Sequence, residues 1–120
     1  MSKTKFIQIC INYGGHDTSA ALSIGNKIVA AAEQERYDLF KHSRNFPIDA
    51  INNCLKKFKL KISDVDRLLL TTNFNYSIKE FYLKPALKND FMLDRLINES
   101  ENIKKYLNLK NKIRKKLNFK

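Results

Sequence analysis

The sequence is short of the residues that build staples, hinges and membrane anchors. It has three glycines, two prolines, two cysteines and two histidines in 120 residues. Cys10 and Cys54 lie far apart, with no CxxC or Cys/His spacing. That excludes a disulfide scaffold and a cysteine zinc site, and it fits a reducing, cytoplasmic compartment. Each cysteine has apolar neighbours and reads as a small buried hydrophobe. No apolar run approaches the length of a transmembrane helix. The opening MSKTKFIQICI is basic then apolar, but it is short and broken by Gln8; no signal peptide is expected. There is no glycine- or serine-rich linker and no internal repeat.

The composition is otherwise that of an ordinary globular chain. Apolar residues make up 43%, which argues against wholesale disorder, and the length suits one modest domain with a real core. Acidic residues are few, 12 against 23 Lys and Arg, for a formal charge of +11. Such a charge invites a nucleic-acid reading. Lysine, however, is spread among asparagine and isoleucine along the whole chain, so position says more than the total.

Periodicity supplies the elements. Residues 6–11, FIQICI, read as a buried strand, 20–24 as a second, and KIVAAAE after Gly25-Asn26 as the third strand, closing a hairpin. The alanines 30–32 favour helix by propensity, but the hairpin turn holds the residues after it in a strand. Residues 34–46 read as a polar loop. Pro47 opens a helix whose stripe is Ala50, Ile51, Cys54, Leu55 and Phe58, with Asp49 in its first turn. RLLLTT, 67–72, is a fourth strand. The resulting β-β-β-α-β order is that of the ribonuclease-H-like unit of the actin, sugar-kinase and Hsp70 class. The predicted fold is therefore α/β, with residues 1–76 as this unit and 77–120 as a basic extension of amphipathic helices. In that extension Ser77 and Glu80 have capping-box spacing, and Pro85 should end or kink a helix. Ile103, Leu107, Ile113 and Leu117 form an apolar stripe that would be exposed in an isolated chain.

Two of the three glycines, Gly14 and Gly15, stand directly before His16-Asp17. Paired glycines let backbone N–H groups approach an anion; a histidine moves a proton near neutral pH, and a carboxylate orients it. The turn thus reads as a phosphate- or carbonyl-handling site. On the residues alone it reads equally as a tight hairpin turn with a solvated His-Asp pair. Glu33 and Glu35, taken as the end of a strand, would share one face and line either a cleft or a solvated edge. Arg36 would pair with one of them or hold a phosphate.

Here the residues carry a resemblance. Gly15-His16-Asp17, Ser19-Ala20-Ala21-Leu22, Glu33-x-Glu35-Arg36-Tyr37, Lys41-His42 and Phe46-Pro47-x-x-Ala50-Ile51 come in the order and near the spacing of the N-terminal segment of the NodU/CmcH-type carbamoyltransferases. The resemblance runs through about Leu70. It implies the opening of a Kae1-like domain, followed in the complete enzyme by a YrdC-like domain. The implied reaction makes a carbamoyl-adenylate from carbamoyl phosphate and ATP, then passes the carbamoyl group to a hydroxyl of a small-molecule acceptor. It implies His16 and Asp17 as catalytic residues, and Gly14, Gly15, Ser19, Glu35, Arg36, Lys41 and His42 as substrate- or phosphate-binding residues. ATP and a divalent metal, iron among the candidates, are implied for the complete enzyme. That metal is held partly by a later H-H-x-x-H-A motif, so no metal ligand is assigned in this chain, which has no histidine after His42. The chain is thus expected to be the front piece of such an enzyme, inactive alone, with the remainder a separate chain or lost. Two alternatives stand: a non-catalytic basic module binding nucleic acid or protein through residues 99–120, and a kinase-like phosphoryl transfer. The tail is read as a solvated helix face, with neither nucleic acid nor membrane as its expected partner.

Overall fold

The computed structural model describes residues 5–71, 73–107 and 109–119; Thr72, the end of the predicted fourth strand, lies outside them. The chain divides into two units, Met1–Thr72 and Asn73–Asn118.

The first unit is a four-stranded sheet in the order β3-β2-β1-β4. β1 (Ile7–Asn12), β2 (Ser19–Ile24) and β3 (Lys27–Glu33) are antiparallel neighbours. β4 (Arg67–Leu70) lies parallel to β1 on its other side. The predicted hairpin is present, and the alanines lie in β3, where Ala31 and Ala32 face Ala21 and Ala20. Gly25 takes φ 62°, a conformation glycine adopts without steric cost, and its N–H bonds the Phe6 carbonyl at 2.9 Å.

Period-two alternation explains the two faces of this sheet. Ile7, Ile9 and Ile11 point one way and are buried, with Ala20 and Leu22 of β2 opposite Ile11 and Ile9. α2 (Ile48–Lys57) lies over β2 and β3 and buries Ala50, Ile51, Cys54 and Leu55, the predicted stripe. Phe58 of that stripe is the exception: it caps the helix and is exposed. The opposite face carries Gln8, Cys10 and Asn12, half-buried.

Residues 34–46 are more ordered than the predicted loop. A single helical turn, α1 (Glu35–Asp38), comes directly after β3. β3 ends at Glu33, so Glu33 and Glu35 do not share a strand face as expected. Gln34 is 2% exposed; its side chain donates to Asp49 Oδ2 at 2.8 Å and accepts from the Ala50 N–H at 3.2 Å. It thereby satisfies an amide in the first turn of α2 that has no partner within the helix. Pro47 sits at the N-cap, one position before the predicted one.

The second unit is helical: α3 (Phe74–Ile78), a π-turn (Lys79–Leu83), α4 (Lys84–Ala86), α5 (Asp90–Asn98), α6 (Ser100–Tyr106) and α7 (Leu109–Leu117). Ser77 is inside a helix, not at a cap. Asn73 caps instead, its Oδ1 accepting from the Tyr76 N–H at 3.2 Å, and the Ser77 N–H bonds the Asn73 carbonyl. Pro85 stands at the start of α4, just after the π-turn, because its ring lacks the N–H that a continuing helix needs. The tail stripe departs from expectation: Ile113 is 2% and Leu117 7% exposed within this chain, while Leu107 remains 44% exposed. No helix among the described residues is long and apolar enough to cross a membrane.

Candidate functional site

The site forms where the β1–β2 loop meets the segment between β3 and α2. Thr18, 1% exposed, stitches the two together. Its N–H bonds the Ser43 carbonyl at 3.1 Å, its hydroxyl donates to the Asn45 carbonyl at 2.6 Å, and its carbonyl accepts the Gln34 N–H at 2.9 Å. The Tyr13 and Phe46 rings add an edge-to-face contact at 5.2 Å across the same seam. From the β1 side, the Asn12 side chain donates to the Asp17 carbonyl at 3.0 Å. From the other side, Glu35 Oε2 accepts the His42 N–H at 2.9 Å.

Asp38 holds the second loop in shape. Its carboxylate accepts from the Ser43 hydroxyl at 2.6 Å, the Asn45 side-chain amide at 3.0 Å and the Phe40 N–H at 2.9 Å. Those bonds, Ser43's foremost, hold its carboxyl below the usual range. The loops place Asp17 at φ 59° and His42 at φ 56°. Left-handed non-glycine residues are uncommon and persist where the surroundings over-determine them. Gly14, at φ 110°, lets the chain turn toward them.

The result is one carboxylate gripped by two imidazoles. Asp17 Oδ2 lies 2.5 Å from His16 Nδ1 and Asp17 Oδ1 lies 2.8 Å from His42 Nδ1. The two rings stand edge to face, 6.2 Å between centroids. The His42 bond, then the His16 bond, lowers the Asp17 pKa. The Asp17 bond and charge raise that of His42. All three side chains remain open to solvent, the histidines at 68% and 62%. A cleft of about 580 Å³ opens beside them, lined by His16, Phe40, Lys41, His42, Arg44 and Asn45. Among the described residues, His16, Asp17 and His42 are the group whose donor atoms, all within 4.8 Å of one another, could hold a metal ion.

Of the sequence candidates, His16, Asp17, Lys41 and His42 therefore converge. Glu35 joins them from behind, as a backbone anchor of His42. Ser19 and Arg36 do not: with Glu33, Cys10, Asn12 and Thr71 they line a separate hollow of about 470 Å³. At Gly15 a Cβ would meet nothing within 4 Å, so the fold itself makes no demand for glycine there. Sequence reasoning missed Arg44 as a cleft cation, and Thr18, Gln34 and Asn45 as the supports. Arg44 had a signal, since it lies two residues past His42 in the same polar loop. The buried amide and hydroxyl had none, because polar residues in a polar loop look alike until their partners are known.

Comparison with known proteins gives a consistent picture. The family model for the carbamoyltransferase N-terminus matches residues 8–119. An uncharacterised Synechocystis protein is 33% identical over 79 residues, 66% of this chain and 11% of its own length. A 19.2 kDa protein of Rhizobium etli is 36% identical over 53 residues, 44% of this chain and 31% of its own. The nodulation protein NolNO of Sinorhizobium fredii is 37% identical over 51 residues, 42% of this chain and 8% of its own. The matched stretches thus span from under a tenth to about a third of these relatives' lengths.

Proposed function

The chain belongs to the family of carbamoyltransferase N-terminal domains, and on that premise we propose that it is the front segment of an enzyme carbamoylating a small-molecule hydroxyl. The carbamoyl group would come from carbamoyl phosphate and ATP by way of a carbamoyl-adenylate. The observation that carries this reading is the Asp17 carboxylate joining His16 and His42 at the mouth of a cleft that also holds Lys41 and Arg44. A ribonuclease-H-like, Kae1-like fold is part of the reading; the sheet order β3-β2-β1-β4 with a parallel β4 supports it.

The chemistry rests on the side chains. Lys41 and Arg44 offer cationic donors to phosphate oxygens. Asp17 engages Nδ1 of His16 and leaves Nε2 as the nitrogen that meets a ligand. As the acceptor hydroxyl attacks the carbamoyl carbon, its proton passes to His16 Nε2. The bond from that carbon to the adenylate oxygen breaks, and AMP leaves. The phosphate would rest against Lys41 and Arg44. A divalent metal, where the complete enzyme holds one, would supply a Lewis acid, and His16, Asp17 and His42 are the residues of this segment that fit one.

The rest of the enzyme would supply the adenylate-forming part. The test is product mass after incubation with carbamoyl phosphate, ATP and a hydroxyl acceptor. The 120-residue chain alone should give none. A carbamoyltransferase carrying this chain as its N-terminal segment should be active and should lose on the order of 100- to 10,000-fold with His16→Asn. Turnover by the chain alone, or near-unchanged rates in His16→Asn, would sink the proposal.

A further inference from the structure

We propose that His16, Asp17 and His42 form a binding site for one divalent first-row transition-metal ion within this chain itself. The inference does not depend on the carbamoyl reaction; it rests on donor type, spacing and access.

Two imidazoles and one carboxylate form a borderline donor set. It suits zinc, cobalt, nickel or ferrous iron, whereas magnesium and calcium prefer all-oxygen sites. The spacing suits the same ions. Each histidine nitrogen lies 2.5–2.8 Å from its own carboxylate oxygen. Neighbouring ligands about 2.1 Å from a shared metal stand about 3.0–3.4 Å apart, so each nitrogen would move off its hydrogen-bonded oxygen by under about 1 Å. The ligand atoms all lie within 4.8 Å of one another. Tetrahedral ligands on such an ion are about 3.4 Å apart, so closure needs a shift of up to about 1.5 Å. Exposed rings make that shift by small side-chain rotations, and both histidines are more than half exposed.

The surroundings fit a bound ion with open positions. The Glu35 carboxylate holds the His42 backbone and the Asn12 amide holds the Asp17 backbone, so two of the three ligands are oriented from behind. The remaining coordination positions would face the cleft, where Lys41 and Arg44 stand ready for an anionic ligand. With the metal on Nδ1, the Nε2 nitrogens carry the ring protons and donate hydrogen bonds, so His16 takes a proton at Nε2 only while its Nδ1 is free of metal. The ion would also tie together two loops whose ligands are 25 residues apart, so binding should resist unfolding.

The test uses the full 120-residue chain without a histidine tag, freed of metal by a chelator. Zinc is titrated by calorimetry, and cobalt by its visible absorption. We expect one ion per chain, with a Kd of about 10 µM or tighter, and a melting temperature that climbs with zinc concentration. The cobalt spectrum should lack thiolate charge-transfer bands, which separates this site from Cys10 and Cys54. His16→Asn, Asp17→Asn and His42→Asn should each weaken binding at least tenfold, whereas Glu101→Gln should not. Asparagine tolerates the left-handed φ at 17 and 42, and circular dichroism checks that each variant folds. Absence of saturable binding up to about 1 mM zinc, or equal binding by the three variants, overturns the site. Neither result bears on the carbamoyl assay, which reads product from the complete enzyme.

Discussion

Asp17 decides the behaviour of its neighbours. Its pKa is lowered and that of His42 raised, each chiefly by the hydrogen bond between them. The two directions set a window. The carboxylate's contribution to stability is present above its ordinary 3.8 and is lost as pH falls through its lower folded value. The imidazolium's contribution is present below its ordinary 6.5 and is lost as pH rises through its higher folded value. Between these limits the pair is fully charged. In metal-free protein, the His42 ring resonances should titrate with a midpoint above 6.5, and Asp17→Asn should bring it back toward that value. An unchanged midpoint in the variant would show that the contact is absent in solution.

Among the elements, the join between β3 and α2 matters most for the site. Gln34 sits at that join, and the segment after it carries Asp38, Lys41, His42 and Arg44. Gln34→Ala would leave the Ala50 N–H without its side-chain acceptor and Asp49 without its amide donor. Leaving buried polar groups unpaired costs about 1–3 kcal/mol, and urea unfolding should show a loss of that size. Gln34→Glu is the sharper comparison, since it keeps an acceptor for Ala50 while facing the Asp49 carboxylate with a second charge. It should therefore be no better than alanine. A variant of wild-type stability would mean that α2 is capped by water or by another group.

Across the molecule, the two units differ in what they bury. The first has a sheet face covered by α2. The second exposes Phe81, Leu87, Phe91 and Ile97, each at 60% or more. Yet its last helix buries Leu109, Ile113 and Leu117. The basic residues Lys110, Lys112, Lys115 and Lys116 are the exposed side of an anchored helix, which supports reading them as a solvated face. Deleting residues 99–120 should therefore lower the melting temperature rather than improve the chain, since burying each such aliphatic side chain contributes about 1.5–3 kcal/mol. Binding to short RNA or DNA, measured by anisotropy at two salt concentrations, should be no tighter than roughly 1–100 µM near physiological salt. An unchanged melting temperature on deletion, or submicromolar binding, would overturn this account of the tail.

The chain's own residue pattern determined β1 to β3, the Gly25-Asn26 hairpin, the stripe of α2 and the presence of a fourth strand. Each of these is a local matter: alternation and helical spacing record which side of a short segment meets the core. The ordered run of short motifs from Gly15 to Ile51 also marks the family without any geometry. The tertiary structure alone decided that β4 runs parallel beside β1, that Gln34 caps α2, and that Asn73 rather than Ser77 begins the helical unit. It decided as well that His16 and His42 meet on the two oxygens of one carboxylate, while Ser19 and Arg36 face another hollow. Those contacts join residues far apart in sequence or depend on which of several equivalent polar side chains finds a partner. No periodicity records either choice, because both are made only when the loops close and the desolvated groups must pair.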